Sequence, residues 1–229
     1  MKYVISDIHG MYDLFIEMLE LIKFSDDDEL YILGDVIDRG PEPLKIIDYI
    51  VSKKNIHLIK GNHEDMFLEY VNHPYYGWLQ NGGDITYQKI IERGEGYKEN
   101  LYNYIKGLPY IKVIDKFILV HAGLYFPDYI DEFTSIDELL AEQEEDHCLW
   151  NRSNVKKELS FMDYTVICGH TPVQTIDINY DDARILHKKG HIYIDCGCCF
   201  EEEGCKLACL CLDTMEEFYV NSTKKGKDS

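Results

Sequence analysis

Leu30-Tyr31-Ile32-Leu33-Gly34-Asp35-Val36-Ile37-Asp38-Arg39-Gly40 is the stretch from which the rest of the chain can be read. Its apolar residues 30–33 follow the acidic segment 25–29 and stop at Gly34, the pattern of a short buried strand entering a turn. On that turn, closed by Gly40 and Pro41, stand Asp35, Asp38 and Arg39. A carboxylate just past the C-terminal end of a strand in an α/β sheet faces the edge where ligands bind. Asp35 is therefore the candidate bridge between two metal ions.

Upstream, strand 2–6 runs into Asp7-Ile8-His9-Gly10. Residues two apart on extended backbone project to one side, so Asp7 and His9 can grip one ion. Residues 11–24 read as an amphipathic helix with Leu14, Met18, Leu21 and Ile22 inward. Downstream, Pro43 opens a second helix with Leu44, Ile47 and Val51 facing the core. Strand 56–59 then enters Gly61-Asn62-His63-Glu64, followed by a helix carrying Met66, Phe67, Tyr70 and Val71. This strand, helix, strand, helix, strand order predicts a parallel α/β start. Residues 74–112 break the rhythm and read as a helical insertion packed beside the site, with helices at 84–93 and 97–106. The rhythm resumes with a strand at 117–120 before His121-Ala122-Gly123 and another at 164–168 before Gly169-His170-Thr171-Pro172. Between them an acidic helix at 135–146 precedes Leu149-Trp150-Asn151-Arg152. Strands 191–195 and 206–212 are expected to close the chain as an antiparallel pair, with 221–229 a frayed tail.

Five apolar runs thus end in metal-capable side chains: Asp7 and His9, Asp35, Asn62, His121, and His170. A parallel sheet brings such strand ends to one edge. Six ligands exceed one open catalytic ion but divide between two ions sharing Asp35. Oxygen and imidazole donors without thiolate suit manganese first, or iron(II) or zinc. His57, His73, His147, His187 and His191 read as solvated.

The chain has 229 residues, 45% of them hydrophobic, enough for the single domain expected over 1–220. Its 42 acidic and 23 basic residues leave a net charge of −19, which argues against nucleic acid as a partner. A phosphate-bearing substrate would need local positive charge from metals or arginines. The first apolar run is too short for an export signal and no stretch is long enough to span a membrane, so a cytoplasmic location is expected. There the eight cysteines stay reduced. Six of them crowd positions 196–211 without paired Cys-x-x-Cys spacing, which reads as core packing rather than a zinc or redox site.

Ser-Asp-Ile-His-Gly (6–10), Gly-Asp-Val-Ile-Asp-Arg-Gly (34–40), Gly-Asn-His-Glu (61–64), His-Ala-Gly (121–123) and Gly-His-Thr (169–171) together resemble the motif set of the phosphoprotein phosphatase family of calcineurin-like metallophosphoesterases. Within it the chain looks most like the bacterial serine/threonine phosphatases, through Trp78 to Gly83 with Thr86, Leu149 to Arg152, and Ile194-Asp195-Cys196-Gly197 with Lys206-Leu207. The resemblance implies an α/β fold in which the β-sheets of a sandwich are flanked by helices. It implies one ion on Asp7, His9 and Asp35 and a second on Asp35, Asn62, His121 and His170. His63 would be the general acid, oriented by Asp38, with Arg39 and Arg152 clamping phosphate. The implied reaction is in-line hydrolysis of a phosphomonoester by a metal-bridging hydroxide, on phosphoproteins or phosphopeptides and on small phosphoesters. Departures from the family pattern include Ser6, Ala122, Asn151 and Cys196.

Two other readings stand beside it. The symmetrical diadenosine tetraphosphatases share the Gly-Asp, Gly-Asn-His and Gly-His-Thr blocks, although Asp38-Arg39-Gly40 and Asn81-Gly82-Gly83 favour the phosphatase. A non-catalytic metal or redox sensor built on the same scaffold would use the cysteine cluster.

Overall fold

Apolar runs of three to six residues become strands here, and glycines or charged turns end them. The computed structural model describes residues 1–153, 155, 160–177, 182–200, 202 and 204–222. Its strands are β1 (Lys2–Ile5), β2 (Glu29–Ile32), β3 (Ile56–Leu58), β4 (Ile111–Ile114), β5 (Phe117–Val120), β6 (Thr165–Cys168), β7 (Leu186–Lys188), β8 (His191–Tyr193), β9 (Lys206–Cys211) and β10 (Glu217–Asn221). Its helices are α1 (Tyr12–Leu21), α2 (Pro43–Ser52), α3 (Asn62–Asn72), α4 (Tyr76–Trp78), α5 (Asp84–Arg93), α6 (Glu95–Lys106), α7 (Ile136–Ala141), α8 (Glu145–Trp150) and α9 (Val173–Ile176), with a π-helical turn at Leu79–Gly83.

The strands divide between two sheets, ordered β10-β9-β1-β2-β3 and β4-β5-β6-β8-β7. In the first, β1, β2 and β3 run parallel, while β9 and β10 extend it antiparallel. In the second, β5, β6 and β8 run parallel between antiparallel edges. Period-two alternation gives the first sheet two apolar faces. Val4, Tyr31, Ala208 and Leu210 share one buried cluster with Ile118, Ile167 and Ile192 of the second sheet. Tyr3, Ile5, Leu30, Leu207 and Cys209 share another with Phe15 and Met18 of α1 and Ile47 and Ile50 of α2. The result is a two-sheet α/β sandwich with helices outside, and β9 is buried along its whole length.

Several expectations are corrected. The runs at 191–195 and 206–212 do not pair with each other: β8 lies beside β6 in one sheet and β9 beside β1 in the other. Two apolar runs close in sequence carry no label for their partner. The insertion's helices end at Lys106, and Lys112 belongs to β4, paired with Leu119 of β5. Asn221 is not frayed but pairs with Lys206, while 223–229 lie outside the described residues. Leu21 and Val51 are 48% and 58% exposed; Phe15 and Leu19 on α1 and Ile46 and Ile50 on α2 fill the core instead. The acidic segment 135–146 forms α7 and the start of α8 rather than one helix.

Candidate active site

Strand ends from both sheets, rather than one sheet edge as expected, meet in a single buried cluster. β1 leads to Asp7 and His9, β2 to Asp35, Asp38 and Arg39, β3 to Asn62 and His63, β5 to His121, and β6 to His170. Backbone bonds lock these turns together: His9 N donates to Asp35 O at 2.8 Å, Gly10 N to Val36 O at 2.9 Å, and Gly169 N to His121 O at 2.8 Å. Across the sheets, His170 N donates to Asp7 Oδ2 at 2.9 Å. A Cβ on Gly34 would lie 2.5 Å from the Gly61 backbone, and Gly34 has φ +86°, so the close approach of the β2 and β3 ends requires glycine.

The turns are strained. Of ten non-glycine residues with positive φ among the described residues, six are Asp7, His9, Asp35, Asp38, Arg39 and His170. Such conformations cost about 1–3 kcal/mol each and persist where surrounding structure over-determines them, characteristically at functional sites.

The donor chemistry fits cations. His121 Nδ1 donates to Leu33 O at 2.6 Å, which leaves Nε2 as a bare lone pair. That lone pair faces Asn62 Oδ1 at 2.8 Å and His170 Nδ1 at 3.2 Å, with Asp35 Oδ1 at 3.5 Å. His9 Nδ1 pairs likewise with Ile37 O at 3.0 Å, turning Nε2 toward Asp35 Oδ2 at 3.6 Å. Acceptors set against acceptors in a buried cluster are repulsive unless positive charge joins them. Burial pushes the Asp7 carboxyl up to about 6 and Asp35 up to about 7, and drives His9 well below the ordinary imidazole range and His170 down to about 2. Two three-residue groups have ligand atoms close enough for one ion, Asp35-His121-His170 and His9-Asp35-His63, sharing Asp35. Asp7 adjoins them through His170 N and Ser6 Oγ, and Asn62 through both imidazoles.

His63 has a dual position. Its Nδ1 lies 2.7 Å from Asp38 Oδ2, and its Nε2 faces Arg39 Nη2 at 3.0 Å and Asp35 Oδ2 at 3.9 Å. Asp38 is fully buried, and burial raises its carboxyl to about 7 against the pull of Thr86 and Trp78. Sequence reasoning expects the Asp38 partner to favour protonated His63. Burial instead holds the imidazole below its ordinary value, outweighing the Asp35 carboxylate. Arg39 also places Nη1 2.8 Å from His9 Nε2. Arg152 is exposed, Nη1 3.5 Å from Oγ1 of Thr171, the residue after His170.

Glu64 closes the Gly-Asn-His-Glu motif, whose sequence assigns it no role. It is completely buried; Oε2 accepts from Asp35 N at 2.8 Å and Gly61 N at 2.9 Å, and Oε1 from Val36 N at 2.9 Å. One carboxylate thus ties the β2 and β3 loops together, and an acid directly after a strand-end ligand was the available signal. His191 was expected to be solvated but is buried beside Phe126 and Tyr193.

A family profile for calcineurin-like phosphoesterases matches residues 3–205. The chain belongs to that family. It is 31% identical over 174 residues to a symmetrical bis(5'-nucleosyl)-tetraphosphatase of Wigglesworthia glossinidia brevipalpis, covering 70% of this chain and 56% of that protein. A protein of the same name from Buchnera aphidicola is 32% identical over 126 residues, covering 53% of this chain and 44% of its own length. The chain therefore spans about half the length of these relatives. Among solved structures, a candidate diadenosine tetraphosphatase superposes with TM-score 0.68 at 19% identity over 96% of this chain and 92% of its own. A protein serine/threonine phosphatase of Saccharomyces cerevisiae gives 0.63 at 13% identity, covering 99% and 81%. These likenesses establish the calcineurin-like metallophosphoesterase fold.

Family membership implies two divalent ions, and the paired His/Asp groups provide places for them. Two cysteines touch the site, Cys198 Sγ donating to Asp7 O at 3.2 Å and Cys199 Sγ accepting from Arg39 Nη1 at 3.7 Å, but among the described residues no thiol joins a candidate metal cluster. Cys209 and Cys211 pack in the helix-side core with Leu207, and seven of the eight cysteines are buried. Core packing accounts for Cys209 and Cys211. No helix among the described residues is long and apolar enough to cross a membrane.

Proposed function

We propose that this phosphoesterase hydrolyses the polyphosphate bridge of dinucleoside tetraphosphates, as one domain over 1–220 in the cytoplasm. The observation that carries the reading is the pair of guanidiniums, one adjoining each of the two ligand groups. Arg39 stands beside His9 and His63, and Arg152 beside Thr171. An extended polyphosphate offers a separate phosphoryl group to each planar fork. The names of the Wigglesworthia and Buchnera relatives support the same substrate class.

Asp7, His9 and Asp35 would hold one divalent ion and Asp35, Asn62, His121 and His170 the other, manganese, iron(II) and zinc all suiting these donors. The ions would supply Lewis acidity toward the phosphoryl oxygens and lower the pKa of water toward ~7. Arg39 and Arg152 bind and orient phosphate oxygens as negative charge builds on them. His63 is placed to pass a proton from Nε2 to the departing oxygen, the negative charge of the bound phosphate favouring the imidazolium that burial alone disfavours, and Asp38 at Nδ1 fixes the imidazole's tautomer and direction. Glu64 keeps the two loops in register.

One observation favours a second reading, a phosphoserine or phosphothreonine phosphatase. The buried His63-Asp38 pair suits a leaving alkoxide, which must be protonated, more than a leaving phosphate, which is a stable anion at neutral pH. Turnover of diadenosine tetraphosphate and of a phosphoserine peptide, each with Mn²⁺ and with EDTA, separates the two. Faster metal-dependent release of ADP is the expected result, and preference for the peptide would overturn it. A protein that also fails to hydrolyse p-nitrophenyl phosphate with Mn²⁺ would be the non-catalytic sensor.

A further inference from the structure

Two partly exposed aromatic rings lie beside the cluster, Phe200 against the Arg39 guanidinium and Trp150 against His170, two residues before Arg152. Trp150 ends α8, whose preceding residues Cys148 and Leu149 are completely buried, yet its own side chain is 44% exposed. Its ring stands edge-on to His170, centroids 6.2 Å apart, two residues before Arg152. Beside the His9 and His63 group Phe200 is 38% exposed, with the Arg39 guanidinium 5.8 Å from its centroid. Beside each ligand group there is thus a fork for phosphate and a partly exposed aromatic ring, the Arg39 guanidinium lying over one face of Phe200.

An exposed tryptophan beside a buried polar cluster leaves apolar surface wet that the fold does not cover. With a net charge of −19, the protein's overall field repels a polyphosphate. Affinity for such a substrate must come from the local cations and from contacts without charge. Base stacking on an aromatic ring is one, and it tolerates any base because every base has a π face.

Resting on the dinucleoside polyphosphate reading above, we propose that Trp150 and Phe200 are the two nucleobase platforms of the site. One base stacks on Trp150 beyond Arg152, the other on Phe200 beyond Arg39. The duplicated arginine and ring beside the two ligand groups match the two equal halves of a symmetrical dinucleotide, with the scissile phosphate between them over the metal groups.

The test uses the full chain with Mn²⁺. Trp150→Leu and Phe200→Leu keep apolar bulk but lose the π face. Each should raise KM for diadenosine tetraphosphate roughly 5- to 150-fold, the range that loss of one base stack spans. Inorganic tetraphosphate, which has the phosphates without the bases, should inhibit both variants with a Ki within about twofold of the parent. Trp150→Tyr should restore most of the affinity. Trp78 is completely buried, so quenching of tryptophan fluorescence by ADP in EDTA should vanish in Trp150→Phe. The platforms are refuted if the parent hydrolyses the dinucleotide and neither KM moves, or if the variants lose tetraphosphate affinity equally. They are refuted too if KM rises for a phosphopeptide and not for the dinucleotide. A parent chain that does not hydrolyse the dinucleotide at all removes the functional reading itself, and the platforms with it.

Discussion

The indole Nε1 of Trp78 donates to Asp38 Oδ2 at 2.7 Å, the same oxygen that meets His63 Nδ1 at 2.7 Å. A residue of the helical insertion therefore sets the position of the candidate acid. Thr86 completes the arrangement reciprocally, its Oγ1 donating to Asp38 Oδ1 at 2.6 Å and accepting from Asp38 N at 2.9 Å. Replacing Trp78 with Phe removes one donor to a buried carboxylate while keeping most of the packing against Phe67 and Tyr70. A hydrogen bond to a charged group contributes about 1.5–3 kcal/mol, so kcat should fall roughly 10- to 150-fold. Metal content by elemental analysis should be unchanged. A rise in KM with kcat intact would place Trp78 on the substrate instead.

Asp35 and Asp38 stand three residues apart and should fail differently. Asp35→Asn removes the carboxylate common to both metal groups and should empty or cripple both positions. Asp38→Asn should keep its ions and lose mainly turnover, since its oxygens are committed to His63, Trp78 and Thr86. Equal metal loss in the two variants would contradict this division.

Glu64→Gln is nearly isosteric but places an amide NH₂ against backbone N–H groups that now donate to a carboxylate. Leaving buried donors unmatched costs about 1–3 kcal/mol for each group. The apoprotein should lose about 2–4 kcal/mol in urea denaturation, and metal affinity should fall with it because the Asp35 and Asn62 loops lose their common anchor.

Metal affinity should depend on pH through the carboxylates. Burial holds Asp7 at about 6 and Asp35 at about 7, so both keep protons that ordinary carboxyls have lost, whereas His170, driven down to about 2, is already neutral. An incoming ion displaces those protons, and affinity should weaken as pH falls through about 7 to 6. Calorimetric titration with Mn²⁺ in buffers of different ionisation enthalpy should show about two protons released near pH 5.5 and about none near pH 8.5. Proton release that grows with pH would reverse the sign.

Cys209→Ser and Cys211→Ser should leave bound metal unchanged, because both thiols sit in the apolar core. Each buries a hydroxyl where a small apolar side chain packed, so unfolding free energy should drop by about 1–3 kcal/mol. Loss of stoichiometric zinc in either variant would restore the cysteine-metal reading.

The ligands were legible because each sits in a local pattern, an apolar run, a glycine, then Asp, Asn or His, that states both the strand and the turn beyond it. Strand existence and side-chain chemistry are properties of a few adjacent residues. Which strands pair is not: β9 joins β1 across more than two hundred positions, and His191 and Leu207 lie in neighbouring runs yet enter different sheets. The same limit hid the bonds of Trp78 and Thr86 to Asp38 and every partner of Glu64, since a buried carboxylate reveals all its uses only through donors brought from elsewhere in the chain. It also misplaced the proton preference of His63. A neighbouring acid is visible in a string of letters, but the desolvation that outweighs it exists only once two sheets close over the imidazole.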